Sequence, residues 1–281
     1  MIINYQHLDL LSKVIFEHLT FKPPIRARQE MESEACYIYV INGSSIAYGG
    51  AHQIQLHQNE SALMRCGNYL NIWKDCKMET ACEAVTIHLY PKILEYIYKN
   101  EMPSFLKKSK ASSGTIIQKI KAQAAVDNYI QGLLFYFNHP SVVDEDMIVL
   151  KLKELMMLLY NTGQENIRDL LENLFDPIKI EFKAVIKSNI FSDLSLEELA
   201  MLNNLSLSSF KRKFKEIYKD SPARYIKRKR LEHALELLKI SSNRISDVCY
   251  DCGFKDIGHF SKSFIAAYGQ SPSEYRRKVL S

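Results

Sequence analysis

The spacing of apolar and polar positions changes once along the chain. Up to residue 90 it runs in short alternating segments. Tyr37-Ile38-Tyr39-Val40-Ile41 is a β-branched and aromatic run. Asn42-Gly43 follows it, a hairpin signal because both turn positions need positive φ, with residues 44–48 as the expected return strand. Gly49-Gly50 predicts a second turn. Residues 53–57 alternate polar and apolar, as a half-buried strand does. Further strands are expected at 62–65, 69–73 and 84–90, with turns at Gly67-Asn68 and Asp75. Short strands at this spacing predict a small sandwich or barrel.

From Pro91 the spacing becomes helical. Ile93, Leu94, Ile97 and Tyr98 recur at 3.6 residues per turn. After a loop at 107–114, a long helix is expected over 116–137, closed by Asn138-His139-Pro140. Asp144 is placed to cap the next helix, which runs to Asn161 with Ile148, Leu152, Leu155, Met156 and Leu159 as its apolar stripe. Thr162-Gly163 ends it, glycine taking the left-handed position. A short helix over 166–175 precedes Asp176-Pro177, the expected start of a second domain. Beyond that point every segment reads helical: 178–190, a short helix capped by Ser195 with Glu198 completing a capping box, a helix from Ser206 to Tyr218, and a long helix from Pro222 to Lys239. Another short helix carries Ile245, Val248 and Cys249, and helices over 256–268 and 272–279 follow.

This helical half contains a repeat. Phe210, Phe214, Tyr218, Ser221-Pro222 and Tyr225 recur 50 residues later as Phe260, Phe264, Tyr268, Ser271-Pro272 and Tyr275. A fixed offset of this size marks a duplicated structural unit. Each copy is a short helix, a tight turn and a second helix, which is the helix-turn-helix pattern. The turns are Asn203-Asn204 in the first copy and Cys252-Gly253-Phe254 in the second, which carries one extra residue.

Composition sharpens this picture. The chain has 281 residues, 47% hydrophobic and 25% charged, enough for about two domains. The net charge of +5 divides unevenly, with +8 over residues 177–281 and −3 over 1–176. A basic helical domain behind a mildly acidic one points to nucleic acid as the partner of the former. No stretch is long and apolar enough to cross a membrane. The first eleven residues carry Asp9 and have neither a basic start nor a small-residue cleavage site, so no secretory signal is expected. Six scattered cysteines fit reduced thiols and a cytoplasmic location.

The residues of the second copy resemble the DNA-binding domain of the AraC/XylS family of bacterial transcription regulators. The family pattern I-x-x-I-A-x-x-x-G-F, F-x-x-x-F, G-x-S-P-x-x-Y-R is matched by Ile245, Val248, Cys249, Gly253, Phe254, Phe260, Phe264, Gly269, Ser271, Pro272, Tyr275 and Arg276. The helix between the copies fits as well, through Arg228, Arg230, Leu231, Ala234, Leu237 and Leu238. Four departures stand out: Cys249 for alanine, Lys262 for arginine, Lys219 for glycine, and no Gly-Phe turn in the first copy. The N-terminal half is similar in layout to the family's cupin-like regulatory domains. In its strand, Asn-Gly turn, strand order and its apolar helix at 147–160 it resembles the subgroup that regulates type III secretion.

The resemblance implies an α+β two-domain fold. A cupin-like β barrel or sandwich (1–90) with following helices (91–163) would form a regulatory and dimerisation domain. A linker at 164–177 would lead to an all-α DNA-binding domain at 178–281, with helix-turn-helix units at 195–218 and 244–268. It implies a sequence-specific transcription regulator that binds double-stranded DNA, with recognition helices in two successive major grooves. The residues expected to face DNA are Ser206, Ser208, Ser209, Lys211, Arg212 and Lys215 in the first unit. In the second they are Asp256, Gly258, His259, Ser261 and Lys262. By the family pattern Arg212 and Ser208 meet bases, and Lys215 and Ser206 meet phosphates.

Other signals read as structure. Lys227-Arg228-Lys229-Arg230 is a solvated, partly ion-paired helix face. Cys249 and Cys252 have C-x-x-C spacing, but lie in a helical region with no second ligand pair, and Cys249 fills a core position. His52 and His57 do not share a strand face. No cofactor or metal is expected, and no enzyme; a cupin-type enzyme with a DNA module would need an acid–base or metal cluster within residues 1–100. Control through an N-terminal effector remains open between a small molecule and a protein partner. Lys22, Arg26 and Arg28 are the candidates for an anionic effector. The stripe Ile148, Leu152, Leu155, Met156 and Leu159 is the candidate homodimer seam, with ordinary core as its alternative.

Overall fold

The computed structural model describes residues 1–74, 81–99, 101–107, 114–121, 124–176, 180–240 and 243–280. The chain divides into two compact units, residues 1–179 and 180–281. The predicted turn at Asp75, most of the 107–114 loop, Pro177 and the first residues of the 178–190 helix lie outside the described residues.

The first unit is built on two antiparallel sheets. One orders its strands β1 (Ile2–Leu10), β2 (Lys13–Phe21), β9 (Cys82–Leu89), β4 (Ala35–Asn42), β7 (Glu60–Met64) and β10 (Ile117–Ile120). The other orders β3 (Ile25–Met31), β8 (Gly67–Trp73), β5 (Ser45–Gly49) and β6 (His52–Leu56). The middle of the six-stranded sheet, around β4, is buried on both faces. Cys36, Ile38 and Val40 of β4 point toward the second sheet, into a core with Phe21, Tyr69 and Trp73. Tyr37 and Tyr39 point the other way, into a core shared with the helices. That double burial is why β4 reads as an unbroken apolar run.

Asn42-Gly43 is not a hairpin turn. Gly43 does take positive φ, but β4 already has β7 and β9 on its two edges. The chain therefore crosses to the other sheet, where β5 pairs with β6 and β8. Gly49-Gly50 does close a hairpin, between β5 and β6. A Cβ on Gly49 would lie 2.6 Å from the Tyr69 ring, so no larger residue fits there.

The helices α1 (Pro91–Ile97), α2 (Ala124–Asn138), α3 (Glu145–Asn161) and α4 (Glu165–Glu172) cover the outer face of the six-stranded sheet. The expected long helix over 116–137 is in fact two elements. Residues 117–120 pair with β7 as β10, and the helix starts only at Ala124. The expected linker at 164–177 is also corrected: Ile167, Leu170, Leu171 and Leu174 are buried in the first unit's core. Asp144 caps α3, accepting from the Met147 N–H at 2.8 Å. His88 of β9 lies between two carboxylates. Its Nε2 is 2.9 Å from Glu17, and its Nδ1 makes a short contact with Glu34. Burial opposes charge on the ring, but the bonds to Glu17 and Glu34 outweigh it and push its pKa up to about 9.

The second unit is helical throughout: α5 (Phe182–Asn189), α6 (Leu196–Leu202), α7 (Leu207–Tyr218), α8 (Pro222–Ile240), α9 (Ile245–Asp251), α10 (Ile257–Tyr268) and α11 (Pro272–Leu280).

Candidate nucleic-acid interface

The repeated aromatic residues form the core of each helix-turn-helix. Phe210 and Phe214 are fully buried with ring centroids 5.8 Å apart. Phe260 and Phe264 are also fully buried, with the same separation. Each pair is closed by two tyrosines: Tyr218 and Tyr225 on Phe214, Tyr268 and Tyr275 on Phe264. The missing Gly-Phe turn of the first copy is compensated from outside the repeat. Phe182 of α5 packs 5.5 Å from Phe210, supplying the ring that Phe254 supplies 5.1 Å from Phe260. Asn204 takes the left-handed conformation in the first turn, and Gly253 takes it in the second.

Those buried pairs fix which side of α7 and α10 faces outward. At 3.6 residues per turn, Ser208, Lys211, Arg212 and Lys215 form one stripe on the side of α7 away from Phe210 and Phe214. All four are exposed. Ser206 is the N-cap, accepting from the Ser209 N–H at 3.3 Å. Its hydroxyl lies 3.1 Å from those of Ser208 and Ser209, so Ser209 is half-buried against the cap. The same positions on α10 are Gly258, Ser261, Lys262 and Ile265. Asp256 is the N-cap, accepting from the His259 N–H at 2.6 Å. Ser261 is half-buried; Asp256, Gly258, His259 and Lys262 are exposed. Ile265 is 46% exposed and was missed in the sequence, where its place opposite Lys215 shows only through the 50-residue offset. The α7 stripe thus carries three cations and the α10 stripe one, beside a carboxylate at its N-terminus.

The basic run on α8 is largely engaged. Arg228 and Lys229 pair with Glu232 at 3.3 and 2.7 Å. Arg230 turns inward and donates to three backbone carbonyls, those of Ile190, Ser192 and Gly253. Cys249 and Cys252 are buried in the core of the second copy. Burial first, then the Asp251 carboxylate, pushes the Cys252 thiol up to about 12, which leaves no reactive thiolate there.

Two family matches cover most of the chain. Residues 35–170 match the ExsA N-terminal regulatory domain, and residues 199–278 match a helix-turn-helix domain. The chain thus carries an AraC-type helix-turn-helix domain behind an ExsA-type regulatory domain. Among curated proteins, this chain is 30% identical over 138 residues to the HTH-type transcriptional activator RhaS of Escherichia coli O139:H28. The match covers 49% of this chain and 47% of that protein, and the RhaS of Escherichia coli O157:H7 gives the same figures. The chain spans about half the length of the curated relatives it matches. Among solved structures, ToxT from Vibrio cholerae covers 93% of this chain and 94% of its own, at 11% identity and a TM-score of 0.39. An AraC-type transcriptional regulator from Chromobacterium violaceum covers 35% of this chain and 88% of its own, at 28% identity and a TM-score of 0.32.

The expected regulatory residues fall differently from those of the helix-turn-helix units. Ile148, Leu152, Leu155, Met156 and Leu159 are not a dimer seam. All five are buried in the first unit's own core, and a side chain packed there has no surface left to offer a second copy. The large apolar side chains that α3 does expose are Leu150 and Met157, two turns apart on the same side. Lys22, Arg26 and Arg28 are exposed. Along β3, Arg26 and Arg28 alternate with half-buried Ile25, Ala27 and Gln29, so these two point away from the space between the sheets. His52 and His57 are both exposed. No helix among the described residues is long and apolar enough to cross a membrane.

Proposed function

We propose that the chain is a sequence-specific DNA-binding transcription regulator. The observation that carries this reading is the stripe Ser208, Lys211, Arg212 and Lys215 on α7, exposed on the side opposite a fully buried aromatic pair. A helix so presented is the element that enters a major groove in helix-turn-helix proteins. Arg212 suits a bidentate contact to guanine O6 and N7, and Ser208 is placed to meet a base edge. Lys211, Lys215 and the cap at Ser206 suit phosphates, which position without specifying.

The second unit reads the adjacent groove more tolerantly. Gly258 and Ser261 offer little to a base edge, Asp256 repels phosphate, and His259 and Lys262 are its remaining polar contacts. Residues 1–179 are the regulatory part, and a homodimer through the outer face of α3 at Leu150 and Met157 would place two copies on one operator. Changing both to glutamate should leave a monomer in sedimentation velocity; an unchanged dimer would move the seam elsewhere.

Selection of bound DNA from a random pool tests the reading. Two unequal half-sites about one helical turn, 10–10.5 base pairs, apart are expected. A pool that never converges on a motif would contradict it.

A further inference from the structure

Arg230 makes a junction that joins the two helix-turn-helix units. Its Nε donates to the Ile190 carbonyl at 2.8 Å. One Nη donates to the Gly253 carbonyl at 2.7 Å, the other to the Ser192 carbonyl at 2.5 Å. Ile190 and Ser192 lie in the loop leading into α6, the first helix of the first unit. Gly253 lies in the turn between α9 and α10, inside the second. Arg230 itself sits on α8, the helix between the units. One side chain therefore ties all three together.

The packing around it has the same effect. Gly253 has φ +79°, and a Cβ there would lie 2.4 Å from the Phe191 carbonyl oxygen and 3.1 Å from the Arg230 guanidinium carbon. The second turn thus presses directly on the loop of the first unit. The Phe191 ring stacks on His233, one turn further along α8, at 4.5 Å. Arginine suits the junction because its planar fork presents several fixed donors, whereas lysine is a point charge on a flexible stem. Burial pulls the Arg230 pKa below its ordinary value, and the Asp193 carboxylate opposes that shift.

We propose that Arg230, seated against Gly253, is a positioning residue that fixes the separation and phase of α7 and α10 and so sets which half-site spacing the chain accepts. This rests on the DNA-binding reading above. A one-base-pair change in spacing moves a half-site by about 3.4 Å and rotates it by about a tenth of a turn. The covalent connection through α8 limits the distance between the units, but does not stop each unit rolling on its own end of that helix. The three bonds of Arg230 do.

The test uses the full chain and its Arg230→Lys and Arg230→Gln variants. Binding is measured at one salt concentration to three kinds of duplex: the first half-site alone, both half-sites at the selected spacing, and both with one base pair added or removed. The wild type should lose about tenfold on the altered spacings, the cost of roughly one lost base contact. Both variants should match the wild type on the single half-site, lose about tenfold at the selected spacing, and separate the spacings by less than about threefold. Wild-type spacing discrimination in Arg230→Lys overturns the lock alone. So does an equal loss on the single half-site and on the full site, which would mean the residue only supports the fold. A wild type that does not prefer its site to scrambled DNA overturns the DNA-binding reading and the lock with it.

Discussion

Arg212 of α7 and Lys262 of α10 occupy the same position of the same helix, 50 residues apart, and both are exposed. Only the arginine presents the fork that matches guanine bidentately. Arg212→Ala should therefore weaken binding to the selected site by about 1–3 kcal/mol and leave binding to random DNA nearly unchanged. Lys262→Ala should cost less and affect both DNAs more evenly. Anisotropy titrations of the two variants at a single salt concentration decide this. Equal losses of Arg212→Ala on both DNAs would remove the base-contact role.

Lys219 is a second departure between the copies. It ends α7 in the left-handed conformation with φ 54°, where Gly269 ends α10 with φ 73°. A side chain in that region costs about 1–2 kcal/mol, and glycine escapes the cost at some loss of chain entropy. Lys219→Gly should therefore raise stability, by about 1 kcal/mol. Urea unfolding reads this directly, and a lower midpoint would show that the lysine has a compensating contact.

His88 gives the first unit a pH dependence. Its folded pKa is pushed up to about 9 by Glu17 and Glu34 against the cost of burial, from an unfolded value of about 6.5. The stabilisation is complete below the unfolded value and is lost as pH rises through the folded one. Stability should fall by about 1–3 kcal/mol between pH 6.5 and 9.5. Denaturant titrations across that range should show the slope in the wild type and not in His88→Gln. The same slope in both would assign it to another group.

Much of this was legible in the sequence because the signals were local. The strands from Tyr37 to Leu89 alternate between turn residues, and the helix-turn-helix units announce themselves through the repeat and the caps at Ser195 and Ser206. What was not legible depends on distant partners. The strands β1 to β3 mix polar residues into both faces, since much of Ile2–Leu10 and Ile25–Met31 is exposed. Ile116, Ile117 and Ile120 fit helical spacing, and only pairing with β7 makes 117–120 a strand. Asn42-Gly43 has hairpin chemistry, but both edges of β4 were already taken. The α3 stripe fits a seam as well as a core, because its sequence does not show that β1, α2 and α4 bury it. Within the DNA-binding unit, neither Phe182 substituting for Phe254 nor Arg230 reaching three carbonyls leaves a local mark.

The most direct measurement is the affinity of the full chain for its selected duplex against a scrambled duplex of equal length, at several salt concentrations. The selected duplex should bind at least about a thousandfold more tightly at physiological salt. Both affinities should fall steeply as salt rises, because lysines and arginines meeting phosphates release counterions. Equal affinity for the two duplexes, or affinities indifferent to salt, would contradict the account.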